Sequence, residues 1–119
     1  METLICELPF PPSVNHYWRR VGSKTLISRQ GRLFRELVCA HLATARVQPL
    51  AGPLAIEVDV YPPDRRRRDL DNLLKSLLDA LEHGHAYHDD SQIARILMER
   101  KDVTPGGKVT VRIRNLSVP

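Results

Sequence analysis

Leucines at positions 70, 73, 74, 77, 78 and 81 recur with the helical period, and this stripe constrains the fold more than any other feature. They gather on one side of a helix running from about Leu70 to His83, with Gly84 placed just past its end. A helix with so broad an apolar face must lie against another apolar layer. The chain supplies that layer as strands. Leu54, Ile56, Val58 and Val60 alternate with outward Glu57 and Asp59, and Leu4, Cys6, Leu8 and Phe10 alternate before Pro11 and Pro12. Residues 92–102 and 108–116 read as two more strands, joined across Thr104-Pro105-Gly106-Gly107 as an antiparallel hairpin, with Val109, Val111 and Ile113 inward.

A second helix is predicted from an N-cap at Ser28 to about Arg46. Its wheel places Leu33, Phe34, Leu37, Val38, His41, Leu42 and Ala45 inward, and Arg32, Arg35, Cys39 and Arg46 outward. The stretch before it, Ser13 to Lys24, reads as an aromatic and basic loop, with a short strand over Thr25 to Ser28. Gln48 to Pro53 reads as a turn. The order β(β)αβαββ predicts an α/β (α+β) fold, a mixed sheet with two amphipathic helices on one face. The 119 residues suffice for one domain, 1–119, and one core.

No apolar run approaches the ~18 residues of a membrane span, and Glu2 and Glu7 argue against a signal peptide. The expectation is a cytoplasmic protein of a bacterial or phage-infected cell, with no membrane partner. Cys6 and Cys39 have no ligand spacing and are expected as free thiols. The net charge of +4 suits a polyanion, but the placement of the arginines carries more information than the sum.

That placement is PPDRRRRDLDNLLKSLLDALEHGHAYHDD. Asp69 falls at the N-cap of the leucine helix, Asp71 two residues inside it, and Lys75 one turn later. Asp89 and Asp90 precede a strand that can run back beside the helix, bringing in a third carboxylate. Crowded carboxylates repel unless a cation neutralises them. Magnesium does so with hard oxygen ligands, keeping waters and accepting phosphate oxygens. Each piece also has a plain structural reading. Asp69 alone reads as a helix cap, stabilising by about 0.5–2 kcal/mol. Asp71 and Lys75 alone read as an i, i+4 pair, about 0.2–0.5 kcal/mol. These readings leave unexplained why Arg65, Arg66, Arg67 and Arg68 abut an Asp-x-Asp, whereas a nuclease needs phosphate-binding guanidiniums beside metal-binding carboxylates.

The run PDRRRRDLDN, with Lys75 four residues after Asp71 and Asp90 nineteen after it, resembles RusA-type Holliday-junction resolvases. So does LPFPPSVNHYWR, which matches the opening pattern LP-x-PPS-x-N-x-x-Y. The resemblance covers essentially the whole chain. It implies a homodimeric, magnesium-dependent endodeoxyribonuclease, with manganese tolerated, that makes paired symmetric cuts in branched DNA at four-way junctions. By the same resemblance Asp69, Asp71 and Asp90 are metal ligands, and Lys75 is a cation of the catalytic site. The DNA-contacting set comprises Ser13, Asn15, His16, Tyr17, Arg19, Arg65, Arg66, Arg67, Arg68 and Asn72, with Asp89 in support.

Rival readings stay open at this point. His83, His85 and His88 with Asp89 form a candidate zinc set, although they straddle a helix end. His41 reads as a core or dimer-interface residue. His16, Tyr17 and Trp18, interleaved with Arg19 and Arg20, read equally as stacking groups for unpaired bases or as packing on the sheet. The alternatives to a junction nuclease are a non-catalytic DNA-binding regulator and a nuclease for forks or flaps.

Overall fold

Strand β4 (Leu54–Tyr61) runs through the middle of the sheet in the computed structural model, which describes residues 3–117. Its Leu54, Ile56, Val58 and Val60 side chains are buried, as their alternation requires. Strand β6 (Lys108–Asn115) pairs with it antiparallel on one side, and β5 (Ile93–Arg100) pairs parallel on the other. Strand β1 (Thr3–Pro9) lies outside β6, giving the order β1-β6-β4-β5. A parallel neighbour has to be reached by a crossover, and helix α3 (Leu70–His83) provides it. Helix α2 (Arg29–Thr44) packs beside α3, and both contribute to one core with the inner face of the sheet. A turn of helix, α1 (Val14–Tyr17), and the hairpin of β2 (Trp18–Val21) with β3 (Lys24–Ile27) occupy the segment expected mostly as loop. The mixed sheet with two amphipathic helices agrees with the predicted class.

The expected terminal hairpin is not formed. Both strands exist, but β4 lies between them. Residues 101–107 cross the end of β4 instead, with the Lys101 N–H donating to the Val60 carbonyl at 2.7 Å and the Thr104 N–H to that of Pro62 at 2.8 Å. Burial explains the choice: Val109, Val111 and Ile113 are fully enclosed between two neighbours, while β5 leaves Ile96 and Leu97 exposed and suits an edge. Gly107, at φ 69°, finishes the crossing where a Cβ would stand 3.0 Å from Phe10 and Pro63.

Helix α2 begins as expected, with Ser28 Oγ accepting from the Gly31 N–H at 2.9 Å, but it is rotated from the expected orientation. Its buried residues are Gly31, Phe34, Val38 and Leu42; Leu33 and Leu37 are 57% and 47% exposed, and His41 is exposed. His41 is therefore not a core residue. The cause is Arg35, expected outside. It turns inward to Asp79 of α3 at 2.9 Å and to the hydroxyl of Tyr17, which itself donates to Asp79. Partnered in this way, a guanidinium can enter the interface, and the leucines on its other flank turn outward. Close helix contact is allowed by Gly84, where a Cβ would fall 2.6 Å from Leu42. Gly84 ends α3 with φ −82°, and the positive φ passes to His85.

Asp79→Ala leaves the mostly buried Arg35 and Tyr17 polar groups without their partner. Urea denaturation should show a loss of about 3–5 kcal/mol. Replacing Arg35 by Met as well should recover part of that loss, since the two changes share one interaction.

Candidate active site

The segment between β4 and α3 is shaped by a residue absent from the sequence-based set. Asp64 accepts from the Arg66 N–H at 2.9 Å and from the Arg68 guanidinium at 2.8 Å. An Asp bonding its own backbone two residues on is a familiar turn device, so this signal was present in PPDRRRR. The Arg68 side chain beside it, then the Arg66 N–H, holds the Asp64 carboxyl down to about 2. Arg68 also lies 5.4 Å over the Phe10 ring, and its carbonyl accepts from Arg100. Arg68 is thus committed to holding the loop, which leaves Arg65, Arg66 and Arg67 exposed.

Asp69 occupies the N-cap position of α3, yet its side chain makes no capping hydrogen bond. Asp71 and Lys75 are exposed, and no ion pair joins them among the described residues. The plain readings of all three as cap and helix pair are therefore not realised. Asp71, Lys75 and Glu82 share one stripe of α3, within about 40° at 100° per residue.

Asp90 stands beside this stripe. It opens a 3₁₀ turn, Asp90–Gln92, where its N–H donates to Glu82 Oε1 at 2.7 Å and its Oδ1 accepts from the Tyr87 hydroxyl at 2.8 Å. Tyr87 is fully buried and also donates to the Leu78 carbonyl, so it fixes Asp90 against α3. Burial pushes the Asp90 carboxyl above its ordinary value. The Tyr87 bond opposes this, the charges of Glu82 and Asp79 add to it, and Lys75 opposes it. Glu82 was missed from sequence, although its spacing of seven from Lys75 and eleven from Asp71 places it on their face. Nothing in the sequence marks Tyr87.

Asp89 has a different task. It accepts from the Ser91 N–H at 2.8 Å, while Gln92 Oε1 accepts from the Asp89 and His88 N–H groups, a closed capping box. Its support is structural.

A groove of about 840 Å³ runs between α2 and the arginine loop. It is lined by Leu33, Phe34 and Leu37 of α2, by Arg66, Arg67, Arg68, Asp69 and Asn72, and by Phe10, Ser13, Asn15 and His16. The Ser76 hydroxyl, fully buried, anchors the proline segment by donating to the Pro12 carbonyl at 2.6 Å. Of the predicted residues, Asp69, Asn72, Ser13, Asn15 and His16 face the groove, whereas Asp71, Lys75 and Asp90 follow the helix stripe, and Tyr17 and Arg19 lie outside both. Among the described residues no three His, Cys, Asp or Glu side chains are placed to hold a metal, the histidine set included. Tyr17 requires a correction. It is fully buried, edge-on to Trp18 at 5.0 Å, and its hydroxyl is held by Asp79, so it has no face to offer a base.

A family model described as Endodeoxyribonuclease RusA matches residues 9–114. The chain belongs to the RusA family. Its relatives include the crossover junction endodeoxyribonuclease RusA of Escherichia coli strain K12, 37% identical over 117 residues and 98% of each chain. The protein of that name from enterobacteria phage HK97 is 42% identical over 110 residues, 92% of each chain. A third, from enterobacteria phage 82, is 37% identical over 117 residues. In this RusA-family chain the carboxylates that maintain local structure (Asp64, Asp79, Asp89) are distinct from those left without a partner among the described residues (Asp69, Asp71).

Asp64 is held in its charged form by Arg68, so its clamp persists from neutral pH down past the usual carboxylate range and is lost as pH falls through about 2. Titration of the Asp64 carboxyl carbon by NMR should give that midpoint. Arg68→Ala should raise it toward the ordinary value of about 3.9.

Proposed function

We propose that this chain is a crossover junction endodeoxyribonuclease, a hydrolase that binds branched DNA and cuts phosphodiester bonds of four-way junctions during recombination and repair, in the cytoplasm of a bacterial or phage-infected cell. The observation that carries this reading is the pairing of uncommitted carboxylates with an arginine loop. Asp69 forgoes its cap in a groove it shares with the exposed Arg66 and Arg67, and Asp71, two residues on, forgoes Lys75. A protein that only holds DNA gains nothing from carboxylates that repel phosphate.

The donor chemistry fits magnesium, with manganese as a substitute: every candidate ligand is a carboxylate oxygen, and magnesium takes one or two carboxylates with waters and phosphate completing its shell. Asp69, Asp71 and Asp90 would supply its ligands, one or two at a time rather than as a preformed set of three, since no such set is placed among the described residues. When bound, the ion supplies Lewis-acid stabilisation of the phosphate and lowers the pKa of its water. Arg65, Arg66 and Arg67 meet the DNA backbone, and Ser13, Asn15, His16 and Asn72 line its path. Lys75 offers a positive charge to the oxygen that gains charge in the transition state. Tyr87 and Glu82 hold Asp90 in place.

The active form is a homodimer. A four-way junction must be nicked in two strands, and a closed two-fold pair of sites matches its symmetry. The exposed flank of α2 carrying Leu33 and Leu37, which also borders the groove, is the candidate contact, so that the seam would adjoin the DNA path.

Synthetic four-way junctions, forks and duplex, incubated with magnesium or EDTA, test the reading. Junctions should be cut in paired strands with magnesium and be intact with EDTA. Asp71→Asn should lower cleavage by about 100-fold or more while binding survives, because the loss lies in charge stabilisation of the reaction; near wild-type cutting would sink the assignment. Lys75→Ala should lower the single-turnover rate by about 10²–10³ with little change in affinity. Leu37→Glu should shift the protein from dimer to monomer by light scattering in the absence of DNA, with an unchanged circular dichroism spectrum.

A further inference from the structure

Between Leu8 and Arg35 the chain contains no aspartate or glutamate and carries Arg19, Arg20, Lys24, Arg29, Arg32 and Arg35. Only Arg35 of these is used inside the fold, by Asp79; none of the others pairs with a carboxylate among the described residues. At the centre of this stretch, β2 and β3 form a two-stranded sheet separate from the main one. Its root is fixed. Trp18 pairs with Ile27, both packed against the core, and the Ser28 N–H donates to the Tyr17 carbonyl at 2.8 Å. Everything beyond the root, Arg19 to Leu26, is exposed, turning at Gly22 with φ 61°.

The register gives this ribbon two faces. Arg19 stands opposite Leu26, and Val21 opposite Lys24, so these four share one face. Val21 and Leu26 are 46% and 42% exposed, an aliphatic pair bracketed by two cations. The Arg20–Thr25 pair carries a third cation on the opposite face. A two-stranded ribbon contributes little stability by itself, so the fold does not account for its length. The major groove of duplex DNA admits a two-stranded ribbon, and a stretch of chain with cations and no acidic residue complements phosphate.

We infer that the β2–β3 hairpin is a DNA-gripping arm that enters the major groove of a duplex arm flanking the cut, with Arg19, Arg20 and Lys24 against phosphates and Val21 and Leu26 against base edges. This grip is separate from the arginine loop and the carboxylate stripe, and it rests on reading that site as a nuclease.

The test measures junction binding by fluorescence anisotropy in EDTA across a salt series, together with methylation protection of guanine N7. Arg20→Ala with Lys24→Ala should reduce the slope of log affinity against log salt by about 0.9 for each phosphate no longer neutralised, about 1.8 for the pair. Val21→Ser with Leu26→Ser should remove major-groove N7 protection on one duplex arm, leave the salt slope alone, and leave the oligomeric state alone. An unaltered slope in the first variant, or unaltered protection in the second, overturns the arm. If the serine variant instead becomes monomeric with its protection intact, the face joins two copies of the chain and the inference is wrong. The two readings fail differently: wild-type protein that binds junctions but never cuts them removes the nuclease reading alone. Protein that cuts normally while the hairpin variants behave as wild type removes the arm alone.

Discussion

The Asp79–Arg35–Tyr17 network is the interaction on which the rest of the arrangement depends. It joins α3, α2 and the end of α1 at a single carboxylate, inside an otherwise apolar interface. Because Arg35 needs that carboxylate, α2 takes the rotation that buries Phe34, Val38 and Leu42 and turns Leu33 and Leu37 outward. Because Tyr17 is pulled into the same network, the chain leaves the core at Trp18, and the basic hairpin is rooted there. The groove wall and the arm are thus consequences of one buried charge. An apolar residue at position 35 would remove the reason for both.

The same economy separates the acidic residues. Asp64 and Asp79 are each bound by a guanidinium and a second donor, Asp89 is bound by the Ser91 N–H, and all three serve the fold. Asp90 is intermediate: one oxygen is held by Tyr87, and it lies among other carboxylates that resist its ionisation. Asp69 and Asp71 have no such role. An uncapped N-cap aspartate forgoes about 0.5–2 kcal/mol that a hydrogen bond to the helix end would contribute. A fold that leaves this stabilisation unused at the mouth of an arginine-lined groove is holding an acceptor open for something else.

The sheet, both helices and most of their boundaries were legible because alternation and the leucine stripe are strong, local signals. The position of β6 was not: sequence adjacency suggested a hairpin, and only the comparison of Val109, Val111 and Ile113 with the weaker pattern of Ile93 to Arg100 favours the centre for the former. The orientation of α2 failed for another reason. A wheel ranks Arg35 as outward on polarity alone, and its partner Asp79 lies 44 residues away, beyond any local pattern. At the site, Asp69, Asp71 and Lys75 could be named as candidates from spacing and family pattern. The bonds made by Tyr87 and Asp89 could not be anticipated, because both depend on which backbone groups the turn after α3 leaves unsatisfied.

The two faces of the sheet complete the electrostatic argument. On the face away from the helices Arg112 lies between Glu57 at 3.1 Å and Asp59 at 3.3 Å, and Lys101 approaches Asp59 and Glu99. At the edge, Lys108 meets Glu7 at 2.9 Å. Charge there is largely cancelled within the protein, and such exposed pairs add little to stability. The hairpin and the arginine loop follow the opposite rule, with cations crowded together and few carboxylates admitted. Such crowding is unfavourable in the free protein and is relieved only when an external polyanion supplies the missing charge. The net charge of +4 therefore understates the pull on a polyanion, since the excess is concentrated where the fold exposes a groove and a ribbon to receive one.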